Sequence, residues 1–225
     1  MKHAALVCVL IMLWMTGCVS QPTRVSPPPA ISTTASVPAV QGSFQPDANL
    51  YLCPGATITN AFEADSRNRV LNFNPVVLVD GKVVMTPVPV NNACLTSGFG
   101  RRYGRTHKGL DLKATPPEMV YAAAPGTIVE ATRSSGFGNH IVIDHGQGVF
   151  TRYAHLNEFS SGVWEGARIG FGQPLGVMGQ TGNATGIHLH FEVLTGNYNT
   201  PKKSFGLTAH NPLSFPAYTG QSSGS

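Results

Sequence analysis

Residues 186–192, Gly-Ile-His-Leu-His-Phe-Glu, carry two imidazoles in a β-type pattern. Side chains alternate across a β-strand, so His188 and His190 are expected on one face and the apolar residues, Ile187 among them, on the other. Two imidazoles held a few Å apart can supply a metal ligand together with a general acid or base, as in hydrolytic zinc centres. Taken alone, a His-x-His pair is more often two partly exposed strand histidines, so the prediction depends on partners elsewhere in the chain.

Two further segments offer such partners. His107 is followed four residues later by Asp111, with a glycine between them, a spacing that can wrap two ligands round one ion on a tight loop entering a strand. His155 stands near the end of the expected strand 148–155 and by period-two alternation shares a face with Tyr153, opposite Ala154, which would point it into the same cleft. Each motif is weak alone, and together they predict one site.

The composition indicates a β-rich fold that can position these residues. The chain has 225 residues, only 12% of them charged, with 25 glycines. Its net charge of +4 comes without a Lys/Arg cluster, which argues against a nucleic-acid partner. Short apolar segments separated by turns predict an all-β domain, an antiparallel sheet or two-sheet sandwich with Gly-rich loops forming a groove. The expected strands are 120–123, 126–132, 139–144, 148–155, 174–178 and 187–194.

The motifs and their flanking residues resemble the lysostaphin-type (LytM-like) zinc metalloendopeptidases of bacterial cell walls. The resemblance covers about residues 96–212 and rests on His-x-Gly-x-Asp, Tyr-Ala-His-Leu and His-Leu-His-Phe-Glu. It implies that His107, Asp111 and His190 bind Zn²⁺ and leave a fourth position for water. It also implies that His155 and His188 are catalytic. The family usually makes His188 the base candidate and has His155 orient or stabilise the tetrahedral intermediate, but the sequence leaves this division open.

The resemblance implies hydrolysis of the peptide cross-links between peptidoglycan stem peptides. The features of the N-terminus described next favour a Gram-negative wall and hence the D-alanyl–diaminopimelate bond, while glycine bridges, the target of some relatives, stay open. Some family members have lost metal ligands and only activate other wall hydrolases. Every ligand position is filled here, which favours an enzyme over the alternative, a non-catalytic wall-binding activator of a peptidoglycan amidase.

The N-terminal segment has the features of an export signal. Lys2 precedes an apolar segment too short to span a membrane, so residues 1–17 are interpreted as a signal peptide. The end of this segment, Met-Thr-Gly-Cys, resembles the bacterial lipobox, which implies lipidation of Cys18 and anchoring to a membrane. Val19 resembles the outer-membrane sorting class, so we expect a lipoprotein of the cell envelope, on the outer membrane and facing the periplasm.

The remaining chain divides into four expected parts. Residues 18–49 hold the lipidated cysteine and a disordered tether rich in Pro, Ser and Thr. Residues 50–94 form a small β appendage with a hairpin at Asp80-Gly81 and an expected Cys53–Cys94 disulfide. The zinc metallopeptidase domain covers 95–215, and 216–225 form a flexible tail. Whether the appendage occludes the groove is left open by the sequence.

Several other polar residues have more than one interpretation. Glu192 either accepts a hydrogen bond from a ligand imidazole or forms a structural salt bridge. Arg101, Tyr103 and Arg105 either line a substrate groove or form a surface loop. His145 is expected in a turn or beside the site, whereas His140 and His210 are expected to be exposed and uninvolved.

Overall fold

The computed structural model describes residues 44–55, 60, 62–199 and 202–220. The predicted signal peptide, Cys18, most of the predicted tether and the last five residues of the predicted tail lie outside these ranges. Within the described ranges, no helix is both long enough and apolar enough to cross a membrane.

The described residues form short strands and one turn of 3-10 helix, Lys203–Gly206, with no α-helix among them. The strands are β1 Tyr51–Leu52, β2 Val77–Val79, β3 Val83–Met85, β4 Cys94–Ser97, β5 Gly100–Arg102, β6 Arg105–His107, β7 Leu110–Lys113, β8 Met119–Tyr121, β9 Gly126–Ser134, β10 Gly138–Asp144, β11 Val149–Leu156, β12 Glu158–Phe159, β13 Arg168–Ile169, β14 Pro174–Val177, β15 Leu189–Thr195 and β16 Thr208–His210. The predicted all-β fold is confirmed.

One large sheet contains most of the long strands. Its order is β1-β4-β7-β15-β11-β10-β9-β13, with β16 paired to β15 as well. Apart from the parallel pair β1–β4, the pairs in this sheet are antiparallel, as predicted. A smaller sheet, β12-β14-β8, contributes to the same apolar core. The site described below lies where β7, β15 and β11 are neighbours.

The two faces of the large sheet have different residue types, and this difference follows from period-two alternation. On one face, the apolar side chains of β7, β10, β11 and β15 are buried in the main core, for example Leu110, Ile141, Tyr153 and Phe191. On the other face the same strands present polar and charged side chains near the middle of the sheet. These buried side chains include Asp111, Arg152, His190 and Glu192.

The predicted strands agree with the observed ones to within a few residues. The difference that affects the site is at β15, which begins at Leu189, whereas the predicted strand began at Ile187. His188 precedes the strand and is held by a bridge to Gly179. Ile187, expected on the buried face, is instead 41% exposed because it lies outside the strand.

The segment before β4 packs against the large sheet. Its hairpin, β2–β3, turns at Asp80 and Gly81, both with positive φ, and the pairing of Val79 with Val83 leaves a three-residue loop where the sequence predicted two residues. Residues from this hairpin are part of the same core as the large sheet. A disulfide joins Cys53 to Cys94, and residue 95, the expected domain boundary, falls inside β4.

Both ends of the described chain are better packed than the sequence indicated. Phe44, expected in the disordered tether, is fully buried and stacks on Tyr121 with ring centroids 4.7 Å apart. Ala217, expected in the flexible tail, forms a β-bridge with Val77. Within the expected tether, the aromatic side chain of Phe44 thus occupies an apolar site on the domain, whereas residues 45–49 stay exposed or partly exposed.

Candidate metal centre

Strand pairing places two of the predicted ligands side by side. Asp111 of β7 lies directly opposite His190 of β15, so both side chains project from the same face of the sheet. Gly109 explains how the chain reaches this register: a Cβ at this position would lie 2.2 Å from the carbonyl oxygen of Phe191. Only glycine allows this approach, and the turn it permits brings His107, the last residue of β6, over Asp111.

The structure brings these three predicted ligands into one cluster. His107 Nε2 lies 3.0 Å from Asp111 Oδ1 and 3.0 Å from His190 Nδ1. His190 Nδ1 lies 2.9 Å from Asp111 Oδ1. All three side chains are buried, and their ligand atoms meet the geometric requirement for holding a metal ion.

Hydrogen bonds on the far side of each imidazole determine which nitrogen faces the cluster. His107 Nδ1 is 2.6 Å from the Gly98 carbonyl oxygen, and His190 Nε2 is 3.1 Å from Glu192 Oε1. Because both oxygens can only accept, these nitrogens donate, and the neutral rings direct lone pairs at each other and at Asp111. Three converging lone pairs repel unless a cation lies between them.

The cluster therefore fits a metal ion with nitrogen and oxygen ligands. Bonds of about 2.0–2.1 Å in tetrahedral geometry place ligand atoms roughly 3.3 Å apart, close to the observed separations. Two imidazoles and one carboxylate occupy three positions and leave the fourth for a water or substrate oxygen, which distinguishes a catalytic from a closed structural centre.

The pKa values show the same need for positive charge. Burial alone would raise the pKa of Asp111, but the adjacent imidazoles of His107 and His190, through their polar contacts and any positive charge they carry, hold it far below its usual range. Burial would likewise lower the pKa of His190, but hydrogen bonds to Asp111 and Glu192 raise it to about 9. Without a metal, a proton on His190 supplies the missing positive charge.

Glu192 connects the cluster to a buried arginine. One carboxylate oxygen accepts from His190 and the other pairs with Arg152 Nη1, and both Glu192 and Arg152 are almost completely buried. The Arg152 guanidinium also lies 4.1 Å from the centre of the Phe137 ring. Both interpretations of Glu192 thus hold at once. Sequence reasoning missed Arg152, since only the β11–β15 register places it opposite Glu192.

The other two predicted site residues, His155 and His188, lie beside the cluster. Their ring centroids are 4.8 Å apart, and His188 Nε2 lies 3.5 Å from Asp111 Oδ1. His188 Nδ1 donates to the Gly186 carbonyl at 2.9 Å, and His155 Nδ1 donates to the Thr181 carbonyl at 2.8 Å. Each neutral ring therefore keeps its lone pair on Nε2.

Burial keeps both of these imidazoles neutral. It lowers the pKa of His155 to about 4, against the opposing effect of the Thr181 hydrogen bond. It also lowers the pKa of His188, against the opposing effect of the Asp111 carboxylate. Neutral imidazoles with a free Nε2 lone pair can accept protons at pH 7, as a general base must.

His155 reaches the site by a different route from the one that alternation predicted. Tyr153, expected on the same face as His155, points into the apolar core and is fully buried, whereas Ala154 lies opposite His190 on the site face. Regular alternation would place His155 in the core with Tyr153. The chain instead has φ 63° at His155, where the β10–β11 register shifts, and this irregularity turns the imidazole to the site face.

The remaining histidines lie away from the cluster. His140, predicted to be exposed, is 1% exposed, and its Nε2 lies 3.4 Å from Glu130 Oε2. That prediction was wrong because strand β10 is covered on both faces. His145 lies in a turn, with Nε2 2.7 Å from the hydroxyl of Thr151. His210 is partly buried on edge strand β16.

A cleft of about 500 Å³ opens above the cluster. Its lining includes the three clustered residues, His155, His188 and Phe137. The β5–β6 hairpin contributes Arg102 and Arg105, so of the three residues proposed for a groove only Arg105 lines the cleft. Arg102, which sequence reasoning missed, has Nη1 2.9 Å from Asp111 Oδ2, the oxygen that faces away from the imidazoles.

Comparison with known proteins agrees with this geometry. Residues 105–201 match the family model for peptidase family M23. The chain is 39% identical over 124 residues to the DD-carboxypeptidase/endopeptidase Mpg of Neisseria meningitidis, a match to 50% of this chain and 28% of that protein. It is 36% identical over 88 residues to the peptidoglycan DD-endopeptidase ShyA of Vibrio cholerae, covering 39% of this chain and 20% of ShyA.

A solved structure has a related fold. The crystal structure of a zinc-containing peptidase from Vibrio cholerae superposes with a TM-score of 0.52 and 26% identity, covering 64% of this chain and 47% of that one. The chain spans less than a third of the length of the two curated relatives. The segment 105–201 that matches the family model contains every residue of the cluster and both neighbouring histidines.

Proposed function

We propose that this protein is a zinc-dependent endopeptidase that hydrolyses peptide cross-links of peptidoglycan. His107, Asp111 and His190 are the zinc ligands. The observation that carries the proposal is the convergence of their three lone-pair atoms, 2.9–3.0 Å apart, at the floor of an open cleft. The similarity to two named peptidoglycan or DD-type endopeptidases supports the substrate class.

The chain's own residues supply the proton transfers. Bound zinc acts as a Lewis acid and lowers the pKa of a water ligand to about 7. His188 is the general base, because its Nε2 atom, which carries the lone pair, lies 3.5 Å from Oδ1 of the ligand Asp111 and its ring is held by a hydrogen bond to the Gly186 carbonyl. His155, with its ring 4.8 Å from His188, presents a second Nε2 acceptor that orients the reacting groups.

The buried pair behind the site holds the ligand in place. Glu192 accepts a hydrogen bond from His190 Nε2, which fixes the tautomer with the Nδ1 lone pair directed into the cluster, where it would bind the metal. Arg152 in turn holds Glu192, so that the carboxylate stays ionised and oriented. The Arg152–Glu192 pair is therefore a positioning device and makes no contact with substrate.

We also propose the bond cleaved and the location of the enzyme. The expected cross-link is D-alanyl–diaminopimelate, as in a Gram-negative wall. The lipobox-like residues before Cys18 support a lipid anchor, and Val19 supports the outer membrane, with the catalytic domain in the periplasm. Mass spectrometry of the mature N-terminus tests the anchor: a diacylated or triacylated Cys18 is expected, and an unmodified residue at that position would contradict it.

Digestion of purified sacculi and of defined cross-linked muropeptides tests the activity. The zinc-loaded protein should release uncross-linked stem peptides, a chelator should abolish release, and added zinc should restore it. Mass spectrometry of the products identifies the bond. Protein with a full equivalent of bound zinc that releases no peptide from either substrate would refute the proposal.

A further inference from the structure

The β5–β6 hairpin places two arginines face to face beside the metal cluster. Its register pairs Arg102 with Arg105 and Gly100 with His107. Directly paired residues, and those two positions along, project from the same face of a hairpin, so both guanidinium groups lie on the face that carries His107. The turn at Tyr103-Gly104, with both residues at positive φ, fixes this register.

Only one of these two arginines has an anionic partner. Arg102 pairs with Asp111 Oδ2 at 2.9 Å. Arg105 and the neighbouring Lys108 line the same cleft and make no ion pair with any residue that the structure describes. The other carboxylate lining the cleft, Glu192, is already held by Arg152.

Like charges directly opposite each other on a hairpin are destabilising unless an anion lies near them. Asp111 compensates Arg102 alone, because its other oxygen is directed at the imidazole cluster. The cleft therefore has a surplus of positive charge on the side of the hairpin, within the space where a substrate would bind. An anionic group of the ligand can supply the missing compensation.

We propose that Arg105, with Lys108, binds a free carboxylate of the substrate peptide close to the scissile amide. This inference rests on the proposed endopeptidase function and narrows its substrate class. In a cross-link through diaminopimelate, the carbon bonded to the scissile nitrogen carries a free carboxylate. A glycine bridge offers no charge there, so the hairpin favours an acidic cross-link over a neutral one.

The test uses two synthetic cross-linked peptides that differ only in this group, carboxylate in one and carboxamide in the other. Zinc-loaded wild-type protein should hydrolyse the carboxylate peptide with a kcat/KM about 5- to 10-fold higher, mainly through KM. Arg105→Gln should remove most of this preference, and Arg105→Lys should restore part of it. The preference should also fall as ionic strength rises.

Arg101→Gln is the matched control. Arg101 lies on the same exposed hairpin but on its other face, opposite Thr106, and does not line the cleft. This variant removes the same net charge and should keep the wild-type preference. Zinc content and melting temperature of each variant show whether the fold and metal site are intact.

The possible results separate this inference from the function on which it depends. If wild type hydrolyses both peptides equally, or if Arg105→Gln and Arg101→Gln behave alike, the carboxylate site is refuted and the endopeptidase function stands. If zinc-loaded wild type hydrolyses neither peptide nor sacculi, both proposals fail. Loss of the preference in Lys108→Gln but not in Arg105→Gln would also overturn the assignment to Arg105.

Discussion

Replacing Glu192 should weaken metal binding although this residue is not a ligand. The conservative change Glu192→Gln keeps an amide oxygen that can accept from His190 but removes the negative charge that faces Arg152. Both side chains of the pair are at most 3% exposed, so the arginine would be left as an uncompensated buried charge. Removing one partner of a buried ion pair costs about 3–5 kcal/mol of unfolding free energy.

The effect on the metal follows from the same contacts. Loss of partners behind metal-ligating histidines typically lowers metal affinity about 10- to 100-fold. We expect Glu192→Gln near the lower value, since a hydrogen bond to His190 can persist, and Glu192→Ala near the upper one. Competition titrations against a chromophoric zinc chelator measure the affinity, and urea denaturation of the metal-free protein measures the stability.

A double variant distinguishes positioning from general destabilisation. In Arg152→Met/Glu192→Gln the unpaired buried charge is gone, so much of the lost stability should return while zinc affinity stays low. Glu158→Gln is the surface control, because Glu158 is exposed on β12 and should change neither quantity. The positioning role of Glu192 would be refuted if Glu192→Gln bound zinc as tightly as wild type. It would also be refuted if zinc affinity recovered together with stability in the double variant.

The remaining predictions concern the cluster, the neighbouring His188 and the turn at Gly109. Asp111→Ala should lose the metal, whereas His188→Ala should keep it and lose about 10²–10⁴-fold in kcat, as metal analysis and peptide hydrolysis can show. In the metal-free fold the pKa of His190 rises from 6.5 to about 9, so the proton on His190 stabilises the metal-free fold fully below pH 6.5, and this stabilisation is lost as the pH rises through 9. Zinc should therefore raise Tm by a larger amount as the pH increases over this range, and an increase in Tm that does not change with pH would contradict the assignment. Gly109→Ala should lower the free energy of unfolding by about 1–3 kcal/mol or more, as urea denaturation can measure, because the added Cβ meets the backbone of β15. Gly136→Ala should lower it less, because nothing lies within 4 Å of the added Cβ.

The sequence predicted the fold class and the membership of the site because both depend on local patterns. Alternation within one short strand gave the face of His190, and the spacing of His107 and Asp111, with a glycine between them, indicated a tight loop that brings the two side chains together. The motifs could therefore be assigned to one site before their partners across the sheet were known. Strand bounds were also close, since each apolar segment ends at a turn residue.

Features that depend on pairing between distant segments were not predictable in the same way. The contact of Arg152 with Glu192 requires the register between β11 and β15, and that of Arg102 with Asp111 requires a hairpin to fold over β7. Phe44 gave no signal of burial within a polar segment, because its partners Tyr121 and Phe171 lie far along the chain. In each case the residue type is visible, but the partner that gives it a role is not.

The conformation of His155 shows how a small backbone change builds this site. Left-handed φ is uncommon for residues other than glycine and costs roughly 1 kcal/mol or more, so it persists only where neighbouring contacts enforce it. Here the backbone N–H of His155 donates to the Phe137 carbonyl at 2.9 Å, and its side chain donates to the Thr181 carbonyl. Without the irregularity the imidazole would enter the apolar core beside Tyr153. The strained residue is thus the one that adds a second neutral imidazole to the cleft, beside that of His188.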